Sequence, residues 1–544
     1  MIAVSLMPRS TDEALRHLSR LASVLSSFSS VQSAIRNPKS EISVELRLDA
    51  IQAPDLPRLL ARPPCPLILT CRPKREGGLY DGPEQPRLEL LREAARLGAD
   101  YIDVEHDAFQ ALGPVAPAKR IVSYHNFKET PPDLDAVHAR LARLGADVVK
   151  IAVTANHILD TVPVLRLLRA ARVPTIALSM GPRGLLTRIL APKFGAFLTY
   201  ASFDSDEGSP PAARRSTPGD ESRRSRDESP GRPQSEAGLG QLSLSEMLNL
   251  YRVHRIGRAT RVFGVVADPV AHSLSPRIHN AAFAELGLDA VYLPLWVEGD
   301  PAAFVRAMRE FAFDGYSVTI PHKQKVMAAM DDLAPLARRI GAINTVVRRP
   351  DGSLFGTNTD ISAGIASIEA VVGKGWLRGK RALLLGAGGL GRAMAFALAD
   401  AGTILTITDL DLPRAEALAR EVGAVAVHSA LRTPPFDHAQ GPEALEGHSA
   451  LAFDVVLNCS PVGMHPDVSA SPVPAEMLRK DMVVYDAVYN PAETKLLRDA
   501  RAAGCRTVAG IDHFVRQAVE QFELWTGQSA PVKTMRRVVV EALA

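Results

Sequence analysis

Short apolar runs alternate with helical patterning through the first two hundred residues. The runs are IAVSLM, ISVELRLD, PLILTCR, YIDVEH, RIVSYHNF, DVVKIAV, TIALSMG and GAFLTYAS. Between them, stretches such as LELLREAARLGAD and DLDAVHARLARLGAD space their apolar residues three and four apart, as one face of a helix requires. Strand then helix, eight times over, predicts a parallel (β/α)8 barrel over residues 1–256, with LSLSEMLNLYRVHRIG closing it. A second α/β pattern begins near Thr260. RVFGVVADPVAHSLSPRIHNAAFAELG, FDGYSVTIPHKQKVM, GAINTVVR and LFGTNTD predict a smaller lobe over 260–361. KRALLLGAGGLGRAMAFALADAG, TILTITDLD, FDVVLNCSPVGM and MVVYDAVYNP predict a Rossmann-type sheet over 362–510. Two segments, about 204–236 and 433–449, lack large apolar residues and read as loop insertions, the first of them disordered.

Composition narrows the class. At 544 residues the chain is long enough for several domains, since ~150 residues is typical of one. Lys and Arg number 63 against 60 Asp and Glu, a net charge of +3, which gives no electrostatic argument for nucleic acid or membrane partners. The four cysteines show no metal-ligand spacing, so no metal is expected. No long apolar run suits a bilayer and MIAVSLMPRST does not read as a signal peptide, so a cytoplasmic location is expected.

Polar residues gather at the ends of the barrel runs. Glu45, Arg47 and Asp49 end the second and Arg72 the third. Asp103, Glu105 and His106 end the fourth, His125 lies late in the fifth, and Lys150 interrupts the sixth. Barrel active sites are assembled at the carboxyl ends of the strands, so these side chains are expected at one mouth. A lysine inside VVKIAV, beside arginines, is expected to have its ammonium form disfavoured and to act as a nucleophilic amine toward a ketone.

ELRLD, TCRPKREGG, SYHNF, VVKIAV and LSMGPRGLLTRI resemble the type I 3-dehydroquinate dehydratases. The resemblance implies that Lys150 forms the Schiff base and that His125 is general base and acid. It implies that Arg47, Arg72 and Arg188 hold the carboxylate and hydroxyls, that Glu45 lies beside them, and that Glu76 orients the histidine. The family's closing Ser-Ala-Pro-Gly-Gln reads AGLGQ here, so Gln241 matches while Ala237 replaces the serine. Thr187 stands where the family has serine before Arg188.

In the second half, Ser273 and Ser275 can be read as helix capping or as ligand contacts. Thr319, Lys323, Asn344, Asn358 and Asp360 suit a polyhydroxylated, uncharged-ring substrate, with the Lys–Asp pair able to move a proton. GAGGLG sits between a strand and a helix, with Asp409 ending the next strand, which predicts dinucleotide binding. Asn458 and Tyr489 are expected at later strand ends, facing the cofactor crevice. HSLSP, VTIPHK, GAINT, NTD, GAGGLG, NCSPVGM and GIDHFVRQAVEQFELWTG resemble the shikimate dehydrogenases. That resemblance implies Ser273, Ser275, Thr319, Asn344, Asp360 and Gln517 as shikimate contacts and Lys323 as proton donor and acceptor. It implies Gly386, Ala387, Gly388, Gly389 and Gly391 at the cofactor, with Asn458, Tyr489 and Gly510 near the nicotinamide. It also implies that helices over 511–544 return to the substrate lobe. NADP is the family's usual cofactor. Asp409-Leu410-Asp411 replaces its Asn-Arg-Thr and favours NAD, while Arg414 is left as the one nearby base for a 2′-phosphate.

The two resemblances interlock, because the product of the first is the substrate of the second. The expected function is bifunctional, 3-dehydroquinate to 3-dehydroshikimate to shikimate, in chorismate biosynthesis. The rivals are a catabolic quinate/shikimate dehydrogenase with the same domains and an inactive barrel kept as scaffold. A homodimer is left open.

Overall fold

The computed structural model describes residues 1–31, 42–203, 241–271, 273–428 and 453–543. Both expected insertions and Ala237 lie outside them. The chain divides into two compact units. One is Met1–Arg261 with Asp289–Val291 and Leu295–Glu298, and the other is the remainder.

The first unit is an eight-stranded parallel barrel. Its strands are β1 (Ile2–Leu6), β2 (Ile42–Arg47), β3 (Leu67–Thr70), β4 (Tyr101–Glu105), β5 (Lys119–Asn126), β6 (Val148–Thr154), β7 (Thr175–Met180) and β8 (Thr199–Ser202). The ladder runs β7-β6-β5-β4-β3-β2-β1-β8. Strands buried on both faces explain the nearly unbroken apolar runs of β3 and β6. Alternate residues point inward, and Ala3, Ile68, Ile121, Val148, Ala152, Ile176 and Leu198 fill the interior. The amphipathic Glu84–Arg96 helix buries Leu88, Leu91 and Ala95 on its inner face. The ladder's two ends, β7 and β8, lie side by side, and the Phe197 N–H donates to the Thr175 carbonyl across the gap at 2.8 Å.

Two further sheets follow the barrel along the chain. The first is mixed, from β9 (Arg261–Ala267), β10 (Ala290–Trp296), β11 (Gly315–Val318), β12 (Asp332–Leu333), β13 (Thr345–Arg348) and β14 (Leu354–Thr357), in the order β10-β9-β11-β13-β14-β12. The other is all parallel, from β15 (Arg381–Leu385), β16 (Ile404–Asp409), β17 (Val425–His428), β18 (Val455–Asn458), β19 (Val483–Asp486) and β20 (Arg506–Val508). Its order, β17-β16-β15-β18-β19-β20, is the doubly wound dinucleotide-binding arrangement, with the switch point between β15 and β18. The Gly510–Thr526 helix packs on the mixed sheet, where Trp525 Nε1 donates to the Val346 carbonyl at 3.0 Å. Among the described residues no helix is long and apolar enough to cross a membrane.

Candidate active sites

Inside the barrel, strand parity brings a ring of charge to one level. Lys150 shares its inward face with Val148 and Ala152, and its neighbour on β5 is Ser123. Its Nζ donates to Glu45 Oε1 at 2.7 Å and to Asp103 Oδ2 at 2.8 Å. Arg72 donates to Asp103 at 3.0 Å and to Glu105 and Ser123 at 2.8 Å each. Lys150, Glu45, Arg47, Arg72, Asp103, Glu105 and Arg188 are all buried. His125 Nδ1 lies 3.1 Å from Glu76 Oε2. Burial, with the Arg72 and Lys150 cations, keeps the His125 imidazole well below its usual pKa, so the ring is neutral at pH 7. Burial pushes the Glu76 carboxyl up to about 7.

One expectation is overturned here. Burial does act against the Lys150 ammonium, but the Asp103 and Glu45 carboxylates outweigh it and hold the amine protonated, far above its usual range. Buried acids that the linear pattern left unpaired decide its charge. The three arginines also separate. Arg72 is paired with Asp103 and Glu105, and Arg47 is bidentate on Asp49, at 2.9 and 2.7 Å. The Arg188 guanidinium has no carboxylate partner among the described residues, and its Nε is buried without any partner. Burial lowers it to about 10. Thr187 turns its hydroxyl away, accepting from the Ser179 N–H and donating to the Gly184 carbonyl. Gln241 stands at the carboxyl end of β8, next to Leu242, whose carbonyl takes the Ser202 N–H at 2.8 Å.

Tyr200 and Ser5 join this site although the pattern did not single them out. The Tyr200 hydroxyl donates to Glu45 Oε1 at 3.0 Å, its ring lies 4.5 Å from Lys150 Nζ, and Ser5 Oγ donates to Glu45 Oε2 at 3.0 Å. The signal available was parity alone. Tyr200 follows inward Leu198 by two, which equally describes a core tyrosine.

In the second unit, Lys323 Nζ donates to Asp360 Oδ2 at 2.5 Å, and His513 Nε2 lies 3.5 Å from Asp360 Oδ1. Asp360 opens the Asp360–Val372 helix, and Lys323 with His513 keeps its carboxyl ionised far below the usual range against its burial. A Cβ on Gly389 would come within 3.2 Å of Lys323 Cδ, so the start of the glycine-loop helix, Gly389–Asp400, rests on this lysine. Gly386 has φ +101°, and a Cβ on Gly391 would lie 1.9 Å from the Gly386 carbonyl oxygen. That close turn leaves the helix's first N–H groups free of side-chain caps, as a pyrophosphate needs. Gly510 opens its own helix pressed on Val488, where a Cβ would meet the carbonyl oxygen at 2.3 Å.

Other expected side chains are engaged within the fold. Asn344 is held by Thr345 and by the Thr359 N–H and hydroxyl, and Asn358 bridges the Ala342 carbonyl and the Asp360 N–H. Ser273 Oγ accepts the Ser275 N–H at 3.3 Å, a local turn bond, and Ser275 begins the Ser275–Glu285 helix. Thr319 is half-buried just beyond β11, and Gln517 donates to the Phe514 carbonyl at 3.0 Å. The Asn458 side chain does not face a crevice. It is fully buried, donating to Val462 and Asp486 and accepting from Ser460, so it shapes the loop after β18. Tyr489 stacks on Phe514 at 4.5 Å. Asp409 is occupied as well. It accepts the Ala387 N–H at 2.6 Å, the Asp411 N–H at 2.9 Å and Arg414 Nη2 at 2.6 Å.

Family profiles match in three places. Type I 3-dehydroquinase covers residues 25–219, the shikimate dehydrogenase substrate binding domain 265–346, and the shikimate 5′-dehydrogenase C-terminal domain 510–540. The "Bifunctional 3-dehydroquinate dehydratase/shikimate dehydrogenase, chloroplastic" of Arabidopsis thaliana is 37% identical over 90% of this chain and 78% of its own. The chain belongs to this bifunctional family. The "Shikimate dehydrogenase (NADP(+))" of Moorella thermoacetica is 42% identical over 53% of this chain and 96% of its own. Among solved structures, the dehydroquinate dehydratase and shikimate dehydrogenase of S. pombe AroM is 25% identical, covering 99% of this chain and 98% of that one, with a TM-score of 0.42.

Proposed function

We propose that this chain dehydrates 3-dehydroquinate in its barrel and reduces the resulting 3-dehydroshikimate to shikimate in its second unit, as a step in making aromatic compounds. The observation that carries the reading is the buried Lys150, held between Glu45 and Asp103 within the same barrel that aims the His125–Glu76 pair. Lys150 forms an imine with the substrate ketone, and the positive nitrogen then draws electrons from the neighbouring C–H bond. Neutral His125 takes that proton and later hands one to the departing hydroxyl, while Glu76 holds the ring. Arg188, lacking an acid partner among the described residues, binds the substrate carboxylate. Arg47 and Arg72 act mainly by fixing acids, and Gln241 closes on the hydroxyls.

In the second unit, Lys323 and Asp360 exchange the hydroxyl proton of the substrate. Ser273, Ser275, Thr319, Asn344 and Gln517 form the wall that receives its hydroxyls. A nicotinamide cofactor bound at Gly386, Ala387, Gly388, Gly389 and Gly391 supplies the hydride. The close turn at Gly386 and Gly391 fits a pyrophosphate, Tyr489 and Gly510 border the nicotinamide end, and Asn458 acts there only through the loop it shapes after β18. A 2′-phosphate has to take Arg414 from Asp409, so NADP preference is weakened and NAD is used as well. Each proposed site is built from residues of one chain, and a cytoplasmic location belongs to the same reading.

The test is conversion of 3-dehydroquinate to shikimate by the purified chain, with NADPH and NADH in parallel. Failure to form 3-dehydroshikimate from 3-dehydroquinate when the nicotinamide is withheld overturns the barrel assignment. Quinate oxidised as fast as shikimate turns the second unit into a quinate/shikimate dehydrogenase. A kcat/KM ratio above ~100-fold for NADP, about 2.7 kcal/mol, overturns the weight given to Asp409.

A further inference from the structure

An ammonium cannot attack a ketone, and Lys150 is held as an ammonium. It has to give up a proton before the imine forms. Two carboxylates touch Nζ, Glu45 Oε1 at 2.7 Å and Asp103 Oδ2 at 2.8 Å. Their other partners differ in charge. The same Asp103 oxygen also binds the Arg72 guanidinium at 3.0 Å, whereas among the described residues Glu45 otherwise receives only the hydroxyls of Tyr200 and Ser5, both at 3.0 Å. Once Lys150 is neutral, Asp103 keeps a hydrogen-bonded cation and Glu45 keeps none. A buried carboxylate left with neutral donors holds a proton more readily than one paired with a guanidinium.

We infer that Glu45 is the acid–base residue of imine formation, taking a proton from Lys150 and returning it to the departing water, with Tyr200 and Ser5 as its positioning residues. This rests on the imine reading proposed above. A proton moves from Nζ to Glu45 Oε1. The freed lone pair bonds to the ketone carbon while the C=O π pair moves onto oxygen, and that oxygen takes a second proton from nitrogen. The product is a neutral carbinolamine beside a protonated Glu45. Glu45 then protonates the carbinolamine oxygen, which leaves as water with the C–O electrons as the nitrogen lone pair closes the C=N bond. The iminium ends between two ionised carboxylates, over the Tyr200 ring that lay 4.5 Å from the ammonium. Charge and atoms balance, and no outside base is needed.

The test is the rate of irreversible borohydride trapping of saturating 3-dehydroquinate on the full chain, followed by intact mass across pH. Wild type should trap at a rate that hardly changes with pH, because the proton stays in the site. Glu45→Gln should slow trapping by roughly 100-fold at neutral pH, as for other positioned acid–base groups. Its rate should then rise about tenfold per pH unit, because the ammonium must lose its proton to solvent, a slope that mere loosening of the site would not create. Tyr200→Phe, which keeps the ring, should slow trapping about fivefold. It decides the matter if Glu45→Gln does not fold, with a wild-type trapping rate overturning the inference. Wild-type trapping in Glu45→Gln overturns it too, as does loss of the pH-independent rate in Asp103→Asn but not in Glu45→Gln. If wild type itself never traps, the imine reading fails instead.

Discussion

The His125–Glu76 contact has a consequence in pH. With Glu76 protonated, its O–H donates to Nδ1, the ring hydrogen sits on Nε2, and Nε2 cannot accept a proton from substrate. With Glu76 ionised, Nδ1 carries the hydrogen and the Nε2 lone pair is free. Burial puts the Glu76 carboxyl at about 7. The basic form therefore grows as pH rises, so kcat/KM for dehydration should climb through about pH 7 and then level off. In Glu76→Gln it should fall by roughly tenfold or more and lose that limb. A pH profile of kcat/KM on 3-dehydroquinate checks both. How far single residues were legible follows from the same chemistry. A lysine inside VVKIAV was visible in the sequence, but its charge was not, because its carboxylates lie 105 and 47 positions away. Arg47, Arg72 and Arg188 read alike along the chain, and only three-dimensional pairing separates Arg188, which has no acid partner among the described residues.

Elements were more legible than side chains, because period and punctuation are local. All eight barrel runs became strands, and GAGGLG became a strand-to-helix turn. What escaped was the work of polar groups at element ends, since a loop's return decides whether Asn458 or Asp409 meets a ligand or its own backbone. The glycines give the sharpest test at this scale. In Gly391→Ala the new Cβ would sit 1.9 Å from the Gly386 carbonyl oxygen, so the Gly389–Asp400 helix must back away from the turn. Overpacking of this kind costs about 1–3 kcal/mol. Thermal unfolding should register that loss, and titration should find dinucleotide affinity down at least tenfold. Gly388→Ala is the control, since nothing lies within 4 Å of its Cβ and its φ is −72°. It should keep both stability and the fold of the turn.

At the scale of the molecule, two compact units with separate cores imply nearly additive chemistry. Lys150→Met should abolish dehydration yet leave kcat for shikimate oxidation within about twofold, and parallel assays on one preparation check this. Equal loss of both activities in a folded protein would count against two independent sites. Repetition made this plan legible in the chain, since eight strand–helix units and a glycine fingerprint each announce an architecture. Sheet order was not written there, and the switch between β15 and β18 emerges only when strands pair. One feature of the barrel reaches further. Because β7 and β8 end the ladder, the sheet is less a hoop than a clip with one join. Leu185–Ile189, the helix bearing Arg188, bridges that join, with the Thr199 hydroxyl of β8 bound to the Arg188 carbonyl at 2.9 Å. A carboxylate drawn onto Arg188 would act as a buckle. Deuterium uptake by the backbone amides of β8 should slow when substrate is bound, more than uptake on β4 at the far side of the ring.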